Sequence, residues 1–245
     1  MSYNLNVILL SALAALIALT VHEFSHGYAA YRLGDPTARN FGRLTLNPLK
    51  HLDPFGALCM IFFHFGWAKP VPINPRYFKN PKKGFAITAL AGPLSNLILS
   101  LLSALAYLLL LNAFDGVGFE SEFTYKLAVN FLLFVYCLHT VNLGLAIFNL
   151  VPIPPLDGSR ILNVILPPKT YFGIMRYERQ IYFGLIGWLF LGDIVKSALL
   201  SVPMIATNPV LSAVAGIFSL GDMLSYVMAK LSELIFSFWE LFPFI

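Results

Sequence analysis

His22-Glu23-Phe24-Ser25-His26 sets two imidazoles four residues apart, with a carboxylate beside the first. On a helix, positions i and i+4 share one face, one turn apart. Two rings so placed can reach a single zinc ion at about 2.0–2.1 Å each. Glu23 is then placed to act as a general base toward a water on that ion. The composition of the chain would produce this pattern by chance about 0.002 times. The segment around it is apolar, and a charge inside a membrane helix costs about 2–3 kcal/mol or more. The plain alternative is a polar cluster that satisfies itself within a helix bundle.

These residues must be carried by elements that suit lipid. Of 245 residues, 58% are hydrophobic and 11% charged, and the mean hydropathy is +0.75. Soluble domains carry roughly a quarter charged residues. Disordered, fibrous and ordinary soluble classes are therefore excluded, and lipid must cover apolar surface that no soluble core could bury. Two cysteines, Cys59 and Cys137, exclude a disulfide framework and a cysteine zinc ribbon.

Charge-free intervals mark the spans: 84–114, 127–156 and 197–221. Each holds the roughly 20 apolar residues that cross a hydrocarbon core. The uncharged N-terminus continues as a helix to about Leu33, where Gly34-Asp35-Pro36 stops it. It lacks the basic start and cleavage site of a secretory signal and reads as the first membrane helix. Ile181–Leu200 is a further span despite Asp193 and Lys196. Leu231–Ile245 is either an interfacial helix or a short sixth span. The expectation is a single domain over 1–245: an all-α polytopic membrane protein with five to six transmembrane helices. Residues 34–83 are basic and proline-rich, which places them on the cytoplasmic side. That bias accounts for the net charge of +4 without a nucleic-acid partner. Within this stretch Cys59–Trp67 is apolar but too short for a helical span, so a strand, a membrane-associated β hairpin or a re-entrant piece is expected between the first two spans. The hairpin's edge, around 58–75, could take a substrate strand.

The third metal ligand follows from topology. His51, His64, His139, Asp53, Asp115, Asp157, Asp193 and Asp222 are the choices. His26 lies about 10 Å from the cytoplasmic end of the first helix. Asp157 follows the cytoplasmic end of the third, after Pro152, Pro154 and Pro155 have forced extended backbone. It can reach the depth of the histidines, whereas Asp115 is on the opposite side. His139 reads as a packed helix residue.

His22-Glu23-Phe24-Ser25-His26-Gly27 in the first span, with Asn149-Leu-Val-Pro-Ile-Pro-Pro-Leu-Asp157-Gly158 in a later one, resembles the site-2 protease family, peptidase M50. Ala91-Gly92-Pro93-Leu94-Ser95-Asn96 is similar to the motif of its intervening span, and Gly66–Pro75 to that of its compact bacterial members. The likeness covers about residues 7–165, with no room for a PDZ or CBS domain. It implies six transmembrane helices, a small β structure after the first, and one zinc held by His22, His26 and Asp157, with Glu23 as base. The implied activity is hydrolysis of a peptide bond in or beside a substrate's transmembrane helix, within the plasma (inner) membrane and toward its cytoplasmic side. The partners are a membrane protein or peptide substrate and the lipid bilayer; a homo-oligomer stays open. Asn149 is either an oxyanion donor or a cap of the broken helix. Asn96 either pairs with substrate backbone or makes a helix-packing contact. Asn142 and Asn149 share a helix face, lining a water path or bonding between helices. The rival functions are a metal transporter and an inactive relative that binds membrane helices.

Overall fold

The computed structural model describes residues 5–56, 59, 68–119, 121–216 and 219–242. Helix α1 (Leu5–Arg32) opens the chain and ends at Gly34, whose φ of 103° is left-handed. The short helix α2 (Thr37–Asn40) and an irregular proline-rich stretch follow. Helix α3 (Pro81–Phe114) starts with Pro81 at its first position and Asn80 as its cap, accepting from the Lys83 N–H at 3.1 Å. Helix α4 (Glu122–Leu150) begins with Ser121 and Thr124 capping each other. It stops before Pro152, and the chain re-enters a helix only at α5 (Asp157–Ile165). Then come α6 (Pro168–Met175), α7 (Glu178–Leu200), α8 (Pro203–Thr207), α9 (Pro209–Gly216) and α10 (Leu220–Trp239).

Helices α1, α3 and α4 are long and apolar enough to cross a membrane. They pack on one another, with α3 against both partners. Ala14, Ala18 and Ala104 are fully buried between them, and small residues let membrane helices approach closely. Leu9, Leu13, Ile98 and Leu102 face outward, as a lipid-facing surface requires. Helix α10 closes one side: Ile235 packs on Ala104 and Leu143, and the Trp239 indole N–H donates to the Leu101 carbonyl at 3.0 Å. Leu156, beside the broken end of α4, packs on Leu185 of α7 and Leu220 of α10.

Three expectations change. The β hairpin between the first two spans is not supported. No strand occurs among the described residues, and Leu52 and Ala68 share only an isolated antiparallel bridge. Residues 57, 58 and 60–67, which hold most of the apolar segment on which it was expected, lie outside the described residues. The physical reason is visible in the arm that follows. Pro70, Pro72 and Pro75 have no N–H, and the donors of Val71 and Asn74 go to the side chains of Glu23 and Asp35 instead of a partner strand.

The interval 197–221 is not one span. Helices break at Pro203 and Pro209, as missing N–H groups demand. From Leu231 to Trp239 the chain forms no helix of its own but continues α10, and residues 243–245 lie outside the described residues. Besides the three long helices, two bent pairs pass the same length and composition test: the halves of α7, at 44°, and α9 with α10, at 97°. The described residues thus hold three spans, or five if each bent pair counts as one, and no sixth.

Candidate metal centre

The site forms where α1 crosses α3 and the start of α5. His22 and His26 are buried on the stripe of α1 that faces α3, and their Nε2 atoms lie 3.0 Å apart. Asp157, first residue of α5, brings Oδ2 to 3.1 Å from His22 Nε2 and 3.2 Å from His26 Nε2. Of the residues weighed as a third ligand, Asp157 alone joins the histidines in a group compact enough for a metal ion among the described residues. His51 is buried away from it and donates through Nε2 to the Thr45 carbonyl at 2.7 Å. His139 is buried beside Ser100 and Ser232. Asp53 accepts from the Phe55 and Gly56 N–H groups, and Asp222 pairs with Lys196. His64 lies outside the described residues.

The far sides of both rings determine their protonation. His26 Nδ1 faces the Thr88 carbonyl at 2.7 Å, so this nitrogen carries the proton and donates. One residue after Thr88, the Ala89 carbonyl has no N–H donor at Pro93, four residues on in α3. His22 Nδ1 lies 2.5 Å from Asn96 Oδ1. The Asn96 amide orientation follows from a chain of fixed acceptors. Its Nδ2 donates to the Ala18 carbonyl at 3.2 Å and to Asn142 Oδ1 at 2.7 Å. Asn142 Nδ2 donates in turn to the Leu138 carbonyl at 2.7 Å. Asn96 Oδ1 can therefore only accept, and His22 Nδ1 must donate.

With both Nδ1 atoms donating, each ring in its neutral form would present an Nε2 lone pair to the same point. The third corner is a carboxylate oxygen. Asp157 Oδ2 is buried and receives no hydrogen bond among the described residues. Three acceptors within 3.2 Å repel one another, and only an added proton or a cation relieves that repulsion. Tetrahedral ligands at 2.0–2.1 Å from zinc are about 3.3 Å apart, and the edges here are 3.0–3.2 Å. Two nitrogens, one oxygen and an open fourth position fit a catalytic zinc site. The histidines keep the backing that metal-ligating imidazoles require.

The space is kept open by a missing side chain. A Cβ on Gly92 would lie 2.4 Å from His26 Nε2 and 2.7 Å from His22 Cε1. Glu23 follows His22 in the same turn, and its Oε2 accepts the Val71 N–H at 2.8 Å. Asn149 is partly buried near the end of α4, and its Nδ2 donates to the Leu145 carbonyl at 3.0 Å. Asn96 is fully buried and committed to His22, Ala18 and Asn142. Sequence reasoning passed over Thr88 and the Val71 N–H, and quoted Gly92 only as part of a motif. The signals were Pro93 beside Gly92, and prolines on both sides of Val71.

The sequence profile of peptidase family M50 matches residues 10–186, most of the chain and both halves of this site. The chain belongs to peptidase family M50. YwhC of Bacillus subtilis (strain 168), a zinc metalloprotease by name, is 42% identical over 166 residues, covering 68% of this chain and 73% of YwhC. Rip2 of Mycolicibacterium smegmatis, likewise a zinc metalloprotease by name, is 32% identical over 63% of this chain and 56% of its own length. Zinc metalloprotease MJ0392 of Methanocaldococcus jannaschii is 27% identical over 62% of this chain and 33% of its own. No solved structure matches the chain significantly. Membership of the family, the names of these relatives and the apolar helices support a multi-pass membrane zinc protease.

Proposed function

We propose that this M50 chain is an intramembrane endopeptidase that hydrolyses a peptide bond in or beside a substrate's transmembrane helix. The observation that carries the reading is the triangle of bare acceptors, His22, His26 and Asp157, with its histidines inside a helix long enough to span a bilayer. Those three residues would hold one zinc per chain. When bound, zinc supplies a Lewis acid and lowers the pKa of a water toward about 7.

The remaining work falls to the chain. Glu23 takes the proton of the attacking water and delivers it to the leaving amine. Thr88 and Asn96 hold the imidazoles in one tautomer and orientation. Asn96, fully buried, acts on His22 and not on substrate. Asn149, partly buried beside the broken end of α4, is the side-chain donor proposed for the developing oxyanion. The basic residues of the arm after α1 support a site toward the cytoplasmic face of the plasma membrane. The substrate helix unwinds before cleavage, because a helical amide is tied up in its own hydrogen bonds.

The test uses purified protein in detergent or liposomes with single-span reporter helices, comparing wild type with Glu23→Gln and measuring bound zinc in both. Loss of cleavage with zinc retained is expected. Chelation abolishes cleavage by wild type, and added zinc restores it. Equal product from both proteins would overturn the reading.

A further inference from the structure

Helix α1 carries a second stripe beside the metal-facing one. Glu23 and Gly27, again four residues apart, face the extended arm at residues 69–75. A Cβ on Gly27 would come within 3.2 Å of the Val71 side chain, so arm and helix are in close contact. In Pro70-Val71-Pro72 only Val71 has an N–H. That single donor goes to Glu23 Oε2 at 2.8 Å. No other hydrogen bond to the Glu23 carboxylate occurs among the described residues.

The arm is held on both sides of this contact. The Lys69 N–H donates to the His51 carbonyl at 2.8 Å, and the Lys69 carbonyl accepts from the buried Arg43 guanidinium. Beyond Val71, the Asn74 N–H donates at 2.6 Å to Oδ2 of Asp35, which is fully buried. Oδ1 of Asp35 accepts the Thr37 N–H at 2.9 Å and the Thr37 hydroxyl. The register of the arm is thus set at Lys69 and Asn74, and the Val71 N–H between them cannot slide.

We propose that the Val71 N–H is a positioning group for the reaction: it selects the one Glu23 rotamer from which the carboxylate serves as base. This rests on the reading of Glu23 as the base. A glutamate has three side-chain torsions and samples several rotamers when nothing holds its end. A charge-assisted bond to a backbone donor is short and directional. The flanking prolines restrict the donor's own backbone, so the order comes from the arm and not from another flexible side chain. The prolines, which deny the arm a partner strand, are what leave this donor for Glu23.

The decisive variant replaces the Val71 amide by an ester in the full chain, removing the N–H and keeping the side chain. Zinc content, KM and kcat are measured on a single-span reporter helix beside wild type and Glu23→Gln. The expected result is a kcat lowered about tenfold or more, with KM and zinc content unchanged. Wild-type kcat in the ester variant, with Glu23→Gln inactive, would overturn the positioning role and leave the base intact. An unchanged kcat in Glu23→Gln would overturn the base and this inference with it. Lost zinc or a raised KM at wild-type kcat would make the contact structural and overturn it as well. A second measurement does not depend on the ester variant folding. The Val71 amide should exchange with solvent about tenfold or more faster in Glu23→Ala than in wild type, and stay protected in Glu23→Gln, which keeps an acceptor oxygen. Equal exchange in wild type and Glu23→Ala would overturn the contact itself.

Discussion

Gly92 lies against the imidazole of His26 with no room for a methyl group: a Cβ there would sit 2.4 Å from Nε2. No Cβ tolerates such a contact, so Gly92→Ala must push the ring aside. Alanine favours a helix over glycine, so α3 itself stays intact. The expected outcome is a zinc affinity lowered about 100-fold with helical content unchanged. A chelator competition titration and far-ultraviolet circular dichroism measure the two. Wild-type affinity would mean that the ring does not sit where α3 is closest.

Asn96→Ala removes the acceptor from His22 Nδ1 and the donor from Asn142 Oδ1, both buried. Losing such a partner behind a metal ligand costs about 10–100-fold in affinity. Each buried polar group left alone adds about 1–3 kcal/mol of destabilisation. The variant should bind zinc more weakly and melt earlier. The same competition titration and a thermal scan in detergent check both.

Gly158 supports the third ligand from behind. A Cβ there would lie 2.3 Å from the Leu150 carbonyl oxygen and 2.6 Å from that of Val151, and backbone cannot swing away like a side chain. Gly158→Ala should therefore displace Asp157 and lower zinc binding to about the level of Asp157→Ala. Zinc per chain after dialysis measures it. Full zinc in Gly158→Ala would mean that the α4–α5 connection can shift without moving the carboxylate.

His139 provides the contrast. Its Nε2 bonds the Ser232 hydroxyl of α10 at 2.8 Å and its Nδ1 meets Ser100 of α3, so it ties three helices together away from the metal centre. Hydrogen bonds between membrane helices contribute about 1 kcal/mol. His139→Leu should lower the thermal midpoint modestly and leave zinc stoichiometry unchanged. Zinc loss in this variant would sink the choice of ligands.

What the linear chain determines here is whatever depends on near neighbours. The pairing of His22 with His26 follows from helix periodicity alone, and charge-free length marks α1, α3 and α4 because a bilayer sets the length of a span. Proline chemistry is equally local: it accounts for the extended backbone before Asp157, for the arm without a partner strand after the first span, and for the helix breaks at Pro203 and Pro209 inside 197–221. Only the tertiary structure decided what meets what. Asn96 lies 74 residues from His22 and its amide points to the ring only because α3 crosses α1 at that turn. The Val71 N–H lies 48 residues from Glu23 and is aimed by anchors at Lys69 and Asp35. Gly92 matters because two helices approach there more closely than a methyl group allows. A motif can name the ligand atoms, since their spacing is written along one helix. The groups that orient those atoms come from other elements, and their direction is set by packing, which no local pattern encodes.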